Sequence, residues 1–324
     1  MDPVFSKIID ETSPAGSTRK RQELIKKIEA LTGRKLAVYT ASMSHPMSGI
    51  MGLDTPFFED CMRVCEGPKG DLMINSPGGD PNAAEKMLKM CRFRFPEEFN
   101  VIVPNYAKSA ATMLALGADR IFMGYLSELG PVDPQVPVPL PTGQTQLVPA
   151  RAYIRGLEEI RDRIARGEPS TVFVPVLAQI RPEMIAFCKD AIEFSKDFLR
   201  RWLPNGVLKG SKIEPATVIE ALVEGERYKS HGQVIDYTEA RSLLSDRVEV
   251  IDPKSELWNL VWELYLRSVN HLNSVPDGAK LFETGSSSTT LNIQVMPARP
   301  QPRPPSQPPA QPPTQPPSPT QPPT

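Results

Sequence analysis

The chain has 324 residues, with 37 Lys and Arg against 38 Asp and Glu, so its formal net charge is −1. A balance this even gives no global field that would favour nucleic acid or an anionic membrane, and we expect neither as a partner. Of the 36 prolines, 14 fall in the last 28 residues. A globular body of ordinary proline content therefore precedes a proline-rich tail.

Cysteine content and apolar runs indicate the compartment. The four cysteines form no C-x-x-C pair, which predicts reduced thiols in the cytoplasm. Cys61 and Cys65 lie four residues apart without a His or Cys neighbour to complete a metal site, so we expect no metal. The purest apolar run, residues 110–118, is far shorter than the roughly 20 residues that span a bilayer. The N-terminus has no apolar signal-peptide region, and we expect a soluble, cytoplasmic protein.

Helices and strands alternate over the first part of the chain. A helix over residues 18–31 carries a basic run at 19–21, which we interpret as a solvated helix face. Thr55 and Asp80 are the expected caps of the next two helices. The predicted elements that follow the first helix are strand 36–39, helix 55–65, strand 71–75, helix 81–93, strand 100–104, helix 109–117 and strand 120–123. Strands this apolar have no solvated face, which predicts an α/β fold with a parallel sheet covered by helices on both faces.

The second half of the chain is mainly helical. Residues 136–149 are proline-rich and predict a long loop. Helices are predicted over 152–165, 182–203, 216–224, 238–244 and 255–271. Asp236, with Glu239 three residues later, indicates a helix cap.

Four regions follow from this pattern. They are an N-terminal helical segment over residues 1–34, an α/β domain over 35–272, a polar linker over 273–296 and a tail over 297–324. The Gln-Pro-Pro repeats of the tail favour polyproline II and cannot pack a core, so we expect disorder. The tail is interpreted as a spacer or as a ligand for a proline-binding module.

The first segment with chemical potential is Ile-Asn-Ser-Pro-Gly-Gly at residues 74–79, between a predicted strand and a predicted helix. Paired glycines permit backbone conformations that other residues resist. A junction of this kind turns backbone N–H groups towards an anion, either a phosphate or the oxyanion of an acyl-transfer intermediate. An ordinary tight turn is the alternative.

The second segment, Asn-Tyr-Ala-Lys-Ser-Ala-Ala-Thr at residues 105–112, places Ser109 just after a buried strand, where it opens a helix of small residues. The N-terminus of a helix favours negative charge on the serine oxygen. The arrangement resembles a nucleophile elbow without the G-x-S-x-G text. The alternative is that Ser109 caps the helix.

Together these segments resemble the serine dehydrogenase proteinase family, relatives of signal-peptide peptidase A in the Clp protease and crotonase superfamily. The text Ser-Ala-Ala-Thr-Met-Leu-Ala-Leu-Gly-Ala-Asp-Arg-Ile at 109–121 and Leu-Gly-Pro-Val-Asp-Pro-Gln at 129–135 makes the resemblance specific. It covers roughly residues 36–250. It implies a Clp/crotonase-like fold, peptide-bond hydrolysis by a serine, a homo-oligomer and no cofactor.

The resemblance assigns roles to residues of this chain. Ser109 falls on the nucleophile position. Gly78, Gly79 and the amide of Ala110 fall where the oxyanion-hole donors would be. Ser76 belongs to the oxyanion loop of this pattern and is not interpreted as a nucleophile.

The general base and its orienting acid have several candidates. His231 matches the family's late histidine, although Gly232 replaces the acid that usually follows it. His45 follows the first strand and stays an alternative base. The orienting acid implied by the resemblance is Asp133, with Asp119 and Asp236 as competitors. His271 is interpreted as a surface or C-terminal capping residue.

A serine–lysine dyad, as in signal-peptide peptidases, is the other mechanistic option. Lys209, Lys212 and Lys229 are candidate bases. Lys108 adjoins Ser109, but consecutive residues at a helix start point in different directions. Relatives tend to carry a smaller or apolar residue at that position, and the departure leaves room for an inactive homologue.

The sequence therefore predicts a serine endopeptidase or peptidase that acts on peptide or protein substrates. Two alternatives belong to other functional classes. One is a catalytically inactive Clp-like fold that acts as an interaction protein through its proline-rich tail. The other is a crotonase-type enzyme that uses the same oxyanion hole on a thioester.

Overall fold

A seven-stranded sheet forms the centre of the structure, a computed structural model that describes residues 14–139, 144–224, 227–228 and 230–294. The helices are α1 (Pro14–Thr32), α2 (Asp54–Met62), α3 (Pro81–Arg94), α4 (Ala110–Leu116), α5 (Ala150–Ala165), α6 (Val174–Leu177), α7 (Pro182–Trp202), α8 (Pro215–Val223), α9 (Tyr237–Leu244) and α10 (Glu256–Ser274). The strands are β1 (Lys35–Ala41), β2 (Lys69–Asn75), β3 (Glu98–Val103), β4 (Tyr106–Ala107), β5 (Arg120–Met123), β6 (Glu128–Leu129), β7 (Gln135–Pro139), β8 (Thr145–Pro149), β9 (Ile235–Asp236), β10 (Val248–Val250), β11 (Gly278–Glu283) and β12 (Ser288–Asn292). The predicted proline-rich tail lies outside the described residues.

The strand order of the central sheet is β10-β5-β3-β2-β1-β11-β12. The first five strands are parallel, and β11 and β12 are antiparallel to their neighbours. Val38, Met73 and Ile102 are in register across β1, β2 and β3 and pack towards α1 and α10. Their neighbours Tyr39 and Leu72 pack on the opposite face, against α2 and α3, as the alternation of side chains in strands requires. Helices cover both faces, and the predicted α/β fold is confirmed.

The carboxyl ends of β2 and β3 lie side by side and carry the two segments with chemical potential. Ser76 N donates to Tyr106 O at 3.1 Å, and Lys108 N donates to Ser76 O at 3.0 Å. Loops after neighbouring parallel strands meet at one edge of a sheet, where binding sites form. This topology brings the Gly-Gly turn and the Ser109 turn together.

Most local predictions are confirmed, with shifted boundaries. Asp80 caps α3 by accepting from Asn82 N, and Asp236 caps α9 by accepting from Glu239 N, both at 2.9 Å. None of the described helices alone is long and apolar enough to cross a membrane. The segments Ser170–Leu177 and Pro182–Trp202 meet that test of length and composition only as a pair bent by 78°.

The predicted long loop over residues 136–149 is instead a hairpin of β7 and β8, with residues 140–143 outside the described part. Pro137 pairs with Leu147, and Pro139 pairs with Thr145. Proline cannot donate in a ladder, but a two-stranded ribbon has outward positions that need no partner. The proline content therefore concealed a hairpin.

The predicted linker over residues 273–296 contains β11 and β12, which extend the central sheet. The polar composition of this region led to the wrong prediction of a linker. Lys280 and Glu283 are fully buried. Each is neutralised by an ion pair at 2.7 Å, with Asp54 and Arg21 respectively. A charged side chain enters a core when it is paired in this way.

The same two ion pairs correct smaller predictions. Arg21 was expected on a solvated helix face and is buried against Glu283. Thr55 was expected to cap α2, but α2 begins at Asp54, whose carboxylate accepts from Lys280. Separately, His271 was expected as a surface or C-terminal capping residue. It lies in the last turn of α10 but is buried, with Nε2 at 2.8 Å from Thr290 Oγ1.

The buried His271 predicts a specific loss of stability in acid. Burial lowers its pKa to about 4, and the positive charge of Arg21 acts in the same direction. The unfolded chain therefore binds more protons than the folded one between pH 6.5 and 4. The free energy of unfolding falls over that window by up to about 3 kcal/mol through this residue. Urea denaturation across this pH range is expected to give a shallower decline for His271→Gln than for the parent protein. Equal slopes for the parent and His271→Gln would contradict the prediction.

Candidate active site

Ser109 occupies a strained turn between β4 and α4. Its φ is 50° and its ψ is −117°, and its side chain makes no capping hydrogen bond. A non-glycine residue in such a region costs of order 1–3 kcal/mol and persists only where its surroundings enforce it. The interpretation of Ser109 as a helix cap is therefore not supported, and the geometry is that of a sharp strand-to-helix turn with a half-buried serine.

The Gly-Gly turn packs directly against the serine turn. Gly78 has φ of +97°, and a Cβ added there would lie 2.6 Å from Lys108 O and 2.7 Å from Ser109 Cβ. Gly79 has φ of +139°, and a Cβ there would lie 2.3 Å from Ile50 O. Only glycine satisfies both the backbone conformation and the close approach.

Two backbone amides at this junction are available to a bound group. Gly78 N donates to Ser76 Oγ at 3.2 Å. Within the described residues, the N–H groups of Gly79 and Ala110 have no acceptor. Of the three amides predicted as oxyanion donors, the structure thus leaves those of Gly79 and Ala110 unoccupied and commits that of Gly78 to Ser76.

His231 and Asp133 meet although 98 positions separate them along the chain. His231 Nδ1 lies 2.7 Å from Asp133 Oδ1. Gln135 Nε2 donates to Asp133 Oδ2 at 3.1 Å. Asp133 is buried, whereas the His231 side chain is 30% exposed. The carboxylate therefore fixes one ring nitrogen and leaves Nε2 as the nitrogen that can exchange protons.

A single cavity of about 610 Å³ collects these groups. Its lining residues are Gly49, Pro77, Gly78, Gly79, Pro81, Asn82, Ser109, Ala110, Met113, Val132, Pro134, Gln135, Leu147, Phe187, Ala191, Phe194, Ser195 and His231. One wall is a face of α7, where Phe187, Ala191 and Phe194 follow each other at helical spacing. A cavity with an apolar wall and a few convergent polar groups is typical of a binding site.

The competing histidines and acids are engaged elsewhere. His45 Nε2 lies 2.9 Å from Ile293 O, and Met47 N donates to its Nδ1 at 3.1 Å. Asp119 accepts from Arg92 and from the backbone of β3. Asp236 is the cap of α9. None of these residues lines the described cavity.

Two of the three lysine candidates do not reach the cavity either. Lys209 and Lys212 are exposed and are not among its lining residues. Lys229 falls outside the described residues. The described part of the chain holds no group of three or more His, Cys, Asp and Glu side chains that would bind a metal ion.

Sequence reasoning missed Gln135 and Thr112, and it placed Ser76 in the oxyanion loop without its contact to Gly78 N. Gln135 ends the Gly-Pro-Val-Asp-Pro-Gln text, which was its only signal. Ser76 holds Gly78 N. Thr112 Oγ1 donates to Ala107 O at 2.7 Å and accepts from Gly130 N at 3.1 Å. Gln135 and Ser76 each contact a residue two positions away, whereas Thr112 joins the start of α4 to Gly130, 18 positions along the chain. Periodicity and composition report which residues form helices and strands but not which side chains make such hydrogen bonds.

Part of this site lies in a segment that matches a model of a known protein family. Residues 60–153, which carry the Gly-Gly turn, Ser109 and Asp133, match the family described as ClpP-like SDH-type serine proteinase. The resemblance stated from the sequence is thereby confirmed for that segment, and it supports a serine-proteinase type of hydrolase in general. His231 lies beyond the matched segment.

Two curated relatives come from Methanocaldococcus jannaschii. Uncharacterized protein MJ0137 is 42% identical over 89 residues, which are 28% of this chain and 28% of the relative. Uncharacterized protein MJ1495 is 30% identical over 129 residues, which are 36% of this chain and 42% of the relative. The chain thus matches less than half the length of each of these relatives.

Two similar solved structures are mutants of the 1510-N membrane-bound stomatin-specific protease. A serine-to-alanine mutant has a TM-score of 0.40 and 14% identity, with 70% of this chain and 84% of that chain covered. A lysine-to-alanine mutant in complex with a substrate peptide has a TM-score of 0.38 and 16% identity, with 83% and 94% covered.

The contact between the two turns predicts unequal effects of two glycine substitutions. Gly78 and Gly167 share a φ of +97°, but a Cβ at Gly167 would meet nothing within 4 Å. We expect Gly167→Ala to cost only the backbone penalty of about 1–2 kcal/mol. Gly78→Ala should cost clearly more, because its methyl group collides with the serine turn. Chemical denaturation of both variants measures the difference, and equal losses of unfolding free energy would show that the close approach is absent.

Proposed function

Because residues 60–153 match the ClpP-like SDH-type serine proteinases, we propose that the protein is a serine peptidase that hydrolyses peptide bonds. The observation that carries the proposal is the convergence on one cavity. The cavity is lined by Ser109, by His231 and by Gly79 and Ala110, whose amides have no acceptor among the described residues. Asp133 contacts the Nδ1 atom of His231. A nucleophile, a base with an orienting acid and a pair of oxyanion donors are the parts that acyl transfer requires.

In the proposed mechanism, His231 donates its Nδ1–H to Asp133 and keeps Nε2 unprotonated. Nε2 accepts the proton of the Ser109 hydroxyl as Oγ attacks the carbonyl carbon of the scissile bond. The tetrahedral intermediate then collapses, and Nε2 returns the proton to the leaving amine. Water repeats the sequence on the acyl-enzyme, so that an acid is released and the serine is restored.

The proposed oxyanion hole consists of the N–H groups of Gly79 and Ala110. Each donor of this kind is typically worth about 2.7–4 kcal/mol of the activation barrier. Gly78 has a supporting role, because its own N–H is bound by Ser76 and its missing side chain admits the serine turn. The strained backbone of Ser109 aims the hydroxyl at the same cavity.

The substrate class follows from the chemistry. We propose a peptide or a protein segment whose scissile bond can reach Ser109 inside the cavity. A cytoplasmic location and a homo-oligomer stay predictions from the sequence. The alternatives of an inactive interaction protein and a crotonase-type thioester enzyme share the fold but differ in the state of Ser109, which a labelling experiment reads directly.

The proposal predicts that a fluorophosphonate probe labels the protein at Ser109. Ser109→Ala should abolish labelling, because it removes the hydroxyl that the proposal assigns as the nucleophile. His231→Ala should lower the labelling rate by about 100-fold or more, since the hydroxyl loses its base. Gel fluorescence after timed exposure measures the rates, and intact-mass analysis gives the stoichiometry.

His45→Ala is the matched control. The His45 imidazole is hydrogen-bonded to the backbone of Met47 and Ile293 and does not line the cavity. We expect His45→Ala to label at the parent rate. A folded parent protein that takes no label would contradict the peptidase proposal and favour the interaction protein. Loss of labelling in His45→Ala but not in His231→Ala would reassign the base.

A further inference from the structure

Lys108 adjoins Ser109 in sequence, but its side chain runs away from the cavity. Its ammonium donates to Leu129 O at 3.0 Å and to Gln233 O at 3.4 Å, and it pairs with Glu128 Oε2 at 3.1 Å. The side chain is 15% exposed. We propose that Lys108 is a positioning residue that fastens the segments carrying Asp133 and His231 to the serine turn, an inference that rests on the proposed function.

The acceptors of this ammonium belong to two different segments. Glu128 and Leu129 form β6, and the chain runs directly from β6 to Asp133. Gln233 lies two positions after His231 and just before β9. The strands β6 and β9 are antiparallel neighbours, with Leu129 opposite Ile235. We call residues 128–133 the acid segment and residues 231–236 the base segment. The Lys108 ammonium thus contacts both segments at the place where they leave the β6–β9 ladder.

The serine turn is joined to the same ladder by its own backbone. The strand β4 pairs with β6 in parallel, with Ala107 opposite Leu129. Thr112 Oγ1 accepts from Gly130 N and ties α4 to the acid segment. Lys108 adds a connection from the serine turn to the segment that carries His231, because its ammonium donates to Gln233 O.

The chemistry of lysine suits this position. A compact ammonium has three donors, and three oxygen atoms surround it here. The stem also fits closely, since a Cβ on Gly130 would lie 2.7 Å from Lys108 Cδ. Arginine would retain the charge, but its planar fork cannot gather three acceptors around one atom. A general-base role is not supported by this geometry, because the nitrogen is directed at acceptors away from Ser109.

The test compares Lys108→Met and Lys108→Arg with the parent in the full chain. We expect Lys108→Met to reduce the fluorophosphonate labelling rate about 10- to 100-fold, as a misplaced base does. Lys108→Arg should recover part of that loss. Lys89→Met is the matched control, because Lys89 is an exposed lysine of α3 that pairs with a carboxylate, Glu85, outside the cavity lining, and it should label at the parent rate.

A second readout separates positioning from a merely structural role. The hydrogen-bonded Nδ1–H of His231 gives a low-field proton signal, assigned by its absence in His231→Gln. We expect Lys108→Met to weaken or broaden this signal while the thermal midpoint of unfolding still indicates a folded protein. Parent-like labelling and a parent-like signal in Lys108→Met would overturn the inference. An unlabelled parent protein would instead overturn the proposed function.

Two further outcomes are decisive. If both Lys108→Met and Lys108→Arg were as inactive as Ser109→Ala while the low-field signal persisted, Lys108 would be the base and the positioning role would be overturned. If Lys108→Met failed to fold, Glu128→Gln would decide. That change weakens one charge-assisted contact and should slow labelling about threefold, and a parent-like rate in this variant would overturn the inference.

Discussion

The structure of the site depends on the backbone contact between the two turns that follow β2 and β3. Ser76 exchanges hydrogen bonds with Tyr106 and Lys108, so the two turns continue the pairing of the strands beyond the sheet. This pairing presses Gly78 against Ser109 at a distance that admits no side chain. The serine conformation, the direction of the amides and the position of α4 all follow from that approach. A hydroxyl and two N–H donors can be held this precisely only when rigid elements support them.

A buried ion pair supports the outer side of the same junction. Asp54 accepts from Lys280, Tyr39 and Met51, and the segment after Gly49 is thereby held against Gly79. The arrangement carries an electrostatic cost. Burial lowers the pKa of Lys280 and, with the Asp54 charge, raises that of Tyr39. A hydrophobic cluster of the same volume would often be as stable. We therefore interpret the ion pair as a device of orientation: it fixes the position of β11 relative to the loop that follows β1.

The sequence was sufficient for the parallel sheet, the helices on both faces and the two turns at the carboxyl ends of β2 and β3. Those features depend on local periodicity, on paired glycines and on a serine at the start of a helix of small residues. It was insufficient for β11 and for the hairpin at residues 136–149. The region of β11 was predicted as a polar linker because the partners that neutralise Lys280 and Glu283, Asp54 and Arg21, are more than 200 positions away. The prolines of the hairpin concealed its strands. In a two-stranded ribbon, proline can stand at outward positions, where its missing N–H needs no partner.

The pairing of His231 with Asp133 shows how an acid can be supplied from elsewhere in the fold. Gly232 stands where the family pattern has an acid next to the histidine, and a reading of neighbours along the chain would conclude that the histidine is unsupported. The β6–β9 ladder brings Asp133 to 2.7 Å from the ring instead. An acid delivered across a ladder needs that ladder to be held against the serine turn. The parallel pairing of β4 with β6 and the antiparallel pairing of β6 with β9 supply that connection through the backbone.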